Sequence, residues 1–181
     1  MRKLAVAFLV VVVALSAVVG VQAFASKDRH KVRTVQLSGY NETPSALNSP
    51  ASGTFSAEID DQAQTITYKL TYSGFPTNVL QAHIHFGNPF AAQGVAVFLC
   101  SNLGNGPAGT PACPTNAGTV TGTLHPADVV GPVAQLIPAG AAGWPSVVKA
   151  IRAGVAYANV HTQQFPAGEI RAQLQRGHGN S

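Results

Sequence analysis

The chain has 181 residues, of which 46% are hydrophobic and 10% charged, and it contains 18 glycines and 12 prolines. This composition excludes long disorder, a coiled coil and a collagen-like repeat, which need more charge or a regular repeat. Eleven lysines and arginines against seven acids give a net charge of +4, and leaving out Arg2 and Lys3 reduces the balance to nine against seven. That excess is too small for a typical nucleic-acid-binding protein.

The N-terminal segment has the three parts of an export signal. Arg2 and Lys3 precede an apolar run from Leu4 to Val21, and Ala23-Phe24-Ala25 is a cleavage site of the A-x-A type. We expect cleavage after Ala25 and a secreted or periplasmic protein. The apolar run has 18 residues, which is close to the lower limit for a membrane span, so an uncleaved N-terminal anchor is the alternative.

The rest of the chain predicts one domain with two polar ends. Residues 26–34 form a charged tether and residues 176–181 a polar tail, and neither is expected to be ordered without a partner. Residues 35–175 contain no second long apolar run and are numerous enough for one sizeable core.

Alternating apolar and polar residues predict most of this domain as β-strands. The clearest case is residues 65–72, where isoleucine, tyrosine and leucine alternate with threonine and lysine, the period of a strand with one buried face. Residues 60–62 predict a turn that joins it to the preceding strand. The predicted strands are Val32 to Leu37, Phe55 to Ile59, Thr65 to Tyr72, Gln81 to Phe86, Val95 to Leu99, Gly118 to Leu124, Val155 to His161 and Glu169 to Gln173.

Two short helices are predicted between these strands. One begins at Pro126 after His125 in the cap position, and the other runs from Pro145 to Ala153 and ends before Gly154. The whole pattern predicts an all-β fold, a single antiparallel β-sandwich or Greek-key barrel. The residues expected in its core are Phe55, Ile59, Ile66, Tyr68, Leu70, Ile84, Val160 and Ile170.

Cys100 and Cys113 are the two cysteines of the chain, and twelve residues rich in glycine and proline separate them. In an exported protein this predicts one disulfide, which would contribute roughly 3 kcal/mol in the chain-entropy model. Two free thiols that bind a metal are the less favoured alternative.

His83 and His85 share one face of a predicted strand, because side chains two residues apart point the same way. Ile84 faces the core, so we expect both imidazoles on the outer sheet surface, where residues 87–94 could fold over them. His161 leaves the polar face of a later strand, and if the two strands are neighbours the three imidazoles converge into a site for copper or zinc. The alternative is three exposed or hydrogen-bonded strand residues.

Other polar residues are assigned around this candidate site. Arg171 is predicted to steer an anion to the metal, and Asn159 and Glu169 are expected to orient a ring nitrogen from outside the ligand shell. His125 is predicted to be a helix cap, with a role as fourth ligand as the less favoured interpretation.

Four sequence blocks together carry a resemblance to a known family. They are VQLSGYNETP at 35–44, LQAHIHFG at 80–87, the cysteine loop VAVFLCSNLGNGPAGTPAC, and YANVHTQQFPAGEIRAQL at 157–174. This combination resembles the CHRD domain, which is named after chordin, an extracellular protein that binds growth factors. The resemblance implies an exported domain and favours a binding role.

A weaker similarity is to copper-zinc superoxide dismutase, whose barrel also has an H-x-H strand, a later histidine and an arginine near the C-terminus. It implies that His83, His85 and His161 are copper ligands and that Arg171 lies beside the open position. The chain lacks a bridging histidine and a zinc cluster, and its cysteine pair closes a local loop.

The sequence therefore leaves several functions open. The first is a copper site with superoxide dismutase-like activity toward a small anionic substrate, and zinc is the alternative metal. The second is metal storage or delivery without turnover. The third is a module without catalytic activity that binds an extracellular protein or matrix partner.

Overall fold

The structure is a computed structural model, and it describes residues 29–175. The prediction of an all-β fold with eight antiparallel strands is confirmed. The strands are β1 (Arg29–Ser38), β2 (Ser52–Asp60), β3 (Thr65–Ser73), β4 (Val79–Phe86), β5 (Val95–Ser101), β6 (Gly118–Leu124), β7 (Ala156–Thr162) and β8 (Ile170–Gln173).

One α-helix, α1, spans Trp144–Arg152 and places its apolar face on the core. It confirms the second predicted helix. The first, at Pro126–Asp128, is a single 3-10 turn, and further 3-10 turns lie at Gly39–Asn41, Val133–Gln135 and Gly140–Ala142. No helix among residues 29–175 has the length and apolar character needed to span a membrane.

The eight strands form one sheet in the order β5-β4-β7-β8-β1-β2-β3-β6, with every neighbouring pair antiparallel. The sheet curls into a nearly closed barrel, so its two end strands approach each other. Near this closure, the hydroxyl of Tyr68 on β3 donates to the carbonyl of Leu99 on β5 at 2.5 Å.

The barrel interior is the hydrophobic core. All eight residues predicted for it are buried, with exposures between 0 and 3%. Alternation explains this result, because the inward set of each strand lies on one face of the sheet.

Strand β1 begins earlier than predicted. It starts at Arg29, so residues 29–34, assigned to the tether, belong to a strand that pairs with β2. The ladder to β2 pairs residues 29–32 of this segment, which composition alone does not reveal. The predicted export signal, residues 26–28 of the predicted tether and the predicted tail 176–181 lie outside the described residues.

Cys100 and Cys113 form the predicted disulfide, with an S–S distance of 2.06 Å. Asn102 fixes the enclosed loop, because its side-chain amide donates to the carbonyls of Val79 and Cys113 and accepts from the Cys113 amide. The bridge therefore closes the loop that follows β5, and Asn102 fixes this loop to the start of β4.

The candidate site lies on the outer face of β4, β7 and β8, which are adjacent in the sheet. The ladders place His83 opposite Asn159, and Asn159 opposite Arg171. A row of polar side chains thus crosses three strands on the face opposite Ile84.

Candidate metal centre

Three histidines from two neighbouring strands converge on one point. His83 Nδ1 lies 3.1 Å from His161 Nε2, and His85 Nε2 lies 3.3 Å from the same atom. One nitrogen from each ring lies within 4.8 Å of the other two. Two ligands that each lie about 2.0 Å from a single ion at a tetrahedral angle are about 3.3 Å apart. The spacing of the nitrogens therefore fits a shared ion.

Backbone carbonyls determine where the protons of two of these rings lie. His85 Nδ1 is 2.8 Å from the carbonyl of Gln93, and His161 Nδ1 is 3.1 Å from that of Pro166. A carbonyl oxygen only accepts, so each Nδ1 carries the proton and each Nε2 presents a lone pair. The 3.3 Å contact between the two Nε2 atoms joins two acceptors, which a cation between them would stabilise.

The histidines face away from the barrel core, as predicted, but they are not surface residues. His83, His85 and His161 are 2%, 6% and 5% exposed. The sequence places them on the outer sheet surface, where residues 87–94 could fold over them, and segments 39–50 and 87–94 do cover this face of the sheet. Periodicity shows which face a side chain occupies and not what packs over that face.

Burial keeps the three imidazoles neutral. Desolvation, together with the neighbouring rings of His161 and His85, lowers the pKa of His83 to about 2. Desolvation likewise lowers the pKa of His85 and of His161 to about 4. Neutral imidazole is the form that binds a metal.

The turn between β7 and β8 positions His161. It presents the Pro166 carbonyl to the ring, and Gly168 lies so close to Asn159 that a Cβ there would be 2.5 Å from its amide nitrogen. The carboxylate of Glu169 ties the turn down, since it accepts 2.6 Å hydrogen bonds from the hydroxyls of Thr162 and Ser49. Glu169 thus orients the turn and not a ring nitrogen.

Segment 87–94 positions His85, and Arg171 holds this segment. The Arg171 guanidinium donates to the carbonyls of Asn88 and Ala91, at 2.8 and 3.1 Å, and to the hydroxyl of Thr43. It also lies 3.4 Å from the centre of the Tyr157 ring, which stacks on His85 with a centroid distance of 4.7 Å. Arg171 is 2% exposed, so the geometry favours a positioning role over the steering of a diffusing anion.

A comparison of the chain with known protein families covers the four sequence blocks that contain the site residues. The family model of the CHRD domain matches residues 33–174. The chain belongs to the CHRD domain family. No curated protein and no solved structure matches the chain.

In this CHRD domain, the closing block at 157–174 contains His161 and the turn that presents the Pro166 carbonyl to it. The block also contains Gly168 of that turn and Arg171, which donates to the carbonyl of Asn88 in segment 87–94. Its most specific part, Pro-x-Gly-Glu followed by Ile-Arg, therefore corresponds to the elements that hold two of the three histidines.

His125 does not join the cluster. It is exposed and precedes the 3-10 turn at Pro126, where its amide donates to the Asp128 carboxylate at 2.7 Å. The structure thus places it in the cap position that the sequence predicts.

Asn159 and Glu42 form a polar pair beside the triad. The Asn159 amide lies 3.5 Å from one carboxylate oxygen of Glu42 and makes no hydrogen bond to a ring nitrogen among the described residues. Desolvation raises the pKa of Glu42 to about 7, although Arg171 and Asn159 act in the opposite direction.

Sequence reasoning missed Glu42, Tyr157 and Gln93 as parts of the site. Tyr157 lies four residues before His161 in the same strand, so the period of two places both on one face. Glu42 and Gln93 lie in covering segments without periodicity, and Gln93 acts through its backbone, so no residue-type signal marks them.

Proposed function

We propose that this chain is an exported metal-binding protein in which His83, His85 and His161 hold one transition-metal ion, with copper favoured and zinc as the alternative. The observation that carries the proposal is the 3.3 Å contact between two Nε2 atoms whose rings both carry their protons on the opposite nitrogen. A buried pair of lone pairs at that distance is repulsive, and a cation between the two nitrogens would remove the repulsion.

Three features support an extracytoplasmic location. The N-terminal segment has the pattern of an export signal, the chain belongs to the CHRD domain family, and the Cys100–Cys113 disulfide is of a kind that persists in oxidising compartments. We place the protein in the periplasm or outside the cell, with cleavage after Ala25 or retention of the segment as an anchor.

The proposal is metal binding and does not extend to superoxide turnover. A dismutase needs an open coordination position within reach of superoxide, whereas the three histidines are 2–6% exposed. The guanidinium of Arg171 is occupied by Thr43, Asn88 and Ala91. Storage or delivery of the ion fits this enclosure better than catalysis.

A copper titration of the purified protein and its variants tests the proposal. His83→Ala and His161→Ala should abolish binding of one equivalent, while His125→Ala removes an exposed histidine and serves as the matched control. Copper binding by the two triad variants with the affinity of the parent would refute the site. A superoxide assay on the loaded parent shows separately whether any turnover occurs.

A second function is favoured by a different surface. A cleft of about 640 Å³ is lined by residues of both covering segments and of β1 and β8. Its lining includes Tyr40 and Phe90, which are 69% and 90% exposed. Exposed aromatic residues beside a polar cleft are typical of recognition sites. We propose this cleft as the contact surface of an extracellular binding module.

Immobilised extracellular matrix proteins provide the test of this second function. A Tyr40→Ser/Phe90→Ser double variant should lose binding that the parent shows, while Leu103→Ser, which removes an exposed apolar residue that does not line the cleft, should keep it. Equal binding by all three proteins would rule out the cleft.

A further inference from the structure

The three donors of the triad are all neutral. No thiolate or carboxylate of the described residues joins the cluster, and both cysteines are in the disulfide. The Gln93 and Pro166 carbonyls hold the ring protons of His85 and His161, so these two ligands need not lose a proton when they bind an ion. The charge of the filled site would therefore equal the charge of its ion.

Aromatic rings enclose the donors. Phe98 packs edge-on against His83 with a centroid distance of 4.4 Å, and Tyr157 stacks on His85 with the two planes 3° apart. The electrostatic cost of burying an ion rises with the square of its charge, so a divalent ion loses far more solvation here than a monovalent one.

The nearby charges do not reverse this preference. The guanidinium of Arg171 lies on the Tyr157 ring and is itself buried, which adds repulsion toward any cation. The carboxylate of Glu169 is engaged by two hydroxyls, and that of Glu42 faces Asn159. Neither acid is part of the ligand cluster.

Coordination number points the same way. Structural zinc sites have four protein ligands, catalytic zinc sites add a water to three protein ligands, and Cu(II) prefers a tetragonal shell of at least four. The three histidines are only 2–6% exposed, and this enclosure disfavours an added water. The described residues supply three nitrogens. A monovalent d¹⁰ ion is satisfied by three donors and gains nothing from a bound water.

We infer that the triad is a three-coordinate Cu(I) site that discriminates against Cu(II) and Zn(II), an inference that rests on the proposed metal function. The selectivity for Cu(I) follows from the neutral donors, from their burial among aromatic rings and from the presence of only three nitrogen ligands among the described residues. The natural ligand is cuprous copper already in its reduced state, and the site holds it without needing a redox step.

The experiment is a set of competition titrations on the full purified protein under anaerobic conditions, with Cu(I) buffered by bicinchoninate and with Zn(II) and Cu(II) each buffered by a chelator. We expect one Cu(I) per chain, bound at least about 100-fold more tightly than Zn(II) or Cu(II). X-ray absorption of the Cu(I) form should show three nitrogen neighbours at about 2.0 Å and no oxygen.

Binding of Zn(II) or Cu(II) as tight as that of Cu(I), or an oxygen ligand in the Cu(I) spectrum, would overturn this inference and leave the metal site standing. Failure of all three ions to bind would overturn the proposed function as well. The spectrum is measured on the parent protein, so the test does not depend on whether a histidine variant folds. His125→Ala should bind Cu(I) like the parent.

Discussion

The backbone orients the rings of His85 and His161. The carbonyls of Gln93 and Pro166 accept from their Nδ1 atoms, whereas metal-binding histidines often use a carboxylate for this purpose. A carbonyl fixes the tautomer without adding negative charge to the site. The accuracy of the site then depends on the two segments that present these carbonyls.

Gly168 offers a single-residue test of one of these segments. Its φ of +132° is unfavourable for other residues, and a Cβ would lie 2.5 Å from the Asn159 amide nitrogen. We expect Gly168→Ala to lower the free energy of unfolding by about 2 kcal/mol and to weaken metal binding, because the turn with the Pro166 carbonyl must shift. Urea unfolding and a metal titration measure the two effects.

Gly140→Ala is the matched control. Gly140 also has a positive φ, +71°, but a Cβ there meets nothing within 4 Å. Its cost should be limited to backbone strain of about 1 kcal/mol, with metal affinity unchanged. A Gly168→Ala protein that binds metal like this control would contradict the role given to the turn.

At the scale of elements, Arg171 connects β8 to the segment that covers the histidines. Its hydrogen bonds reach Asn88, Ala91 and Thr43, so both covering segments contact one guanidinium. Segment 87–94 holds His85 through the backbone carbonyl of Gln93, and the backbone N–H of Gln93 donates to the Tyr157 hydroxyl at 2.9 Å.

Replacement of Arg171 by methionine tests this connection. The variant leaves the carbonyls of Asn88 and Ala91 without their donor, and we expect a loss of about 2–3 kcal/mol in unfolding free energy and faster amide exchange at Gln93. Arg152→Met removes an arginine whose partner is the exposed Asp61 and should cost less than about 1 kcal/mol. Unchanged exchange at Gln93 in the Arg171 variant would show that the segment is held by other contacts.

Strands and core faces were predictable because each strand alternates between a barrel interior and an outer face. The pattern at Ile66, Tyr68 and Leu70 determines the strand and its buried side. The same rule placed His83 and His85 opposite Ile84. It could not show their burial, because the covering segments are irregular and are held by long-range contacts such as Arg171 to Asn88.

The tautomers at the site were also beyond sequence reasoning. They depend on the carbonyls of Gln93 and Pro166, and a backbone atom contributes no residue-type signal. Asn159 and Glu169 make their side-chain hydrogen bonds to Glu42, Thr162 and Ser49, and the groups that contact the ring Nδ1 atoms are backbone carbonyls.

At the scale of the whole molecule, the apolar core that stabilises the fold and the polar candidate site lie on opposite faces of the sheet. Its interior is apolar, while the polar row lies on the outer face of β4, β7 and β8 under two segments. The buried histidines nevertheless connect stability to pH, because in the unfolded chain they titrate near 6.5.

The metal-free protein should lose stability in mild acid. Below pH 6.5 the unfolded state binds protons on His83, His85 and His161, whereas the folded state binds them only at about pH 4 or lower. The free energy of unfolding therefore falls as the pH falls. Glu42 acts oppositely, since its folded pKa of about 7 makes the folded state the better proton acceptor between pH 4.5 and 7. Three histidines outweigh one carboxyl.

The net expectation is a loss of about 3 kcal/mol in unfolding free energy between pH 6.5 and pH 5. Urea unfolding of the metal-free protein at a series of pH values measures it. Stability that stays constant or rises over this range would mean that the histidines are exposed in solution.

The most direct test of the metal site is nitrogen NMR of the imidazole rings with and without copper supplied as Cu(I). Before addition, His85 and His161 should be Nδ1-protonated, as their contacts to Gln93 and Pro166 require. One equivalent of Cu(I) should shift His85 Nε2, His161 Nε2 and His83 Nδ1 together and leave the exposed His125 unchanged. Protonation of His85 or His161 at Nε2 in the free protein, or a shift at His125 without one in the triad, would contradict the account.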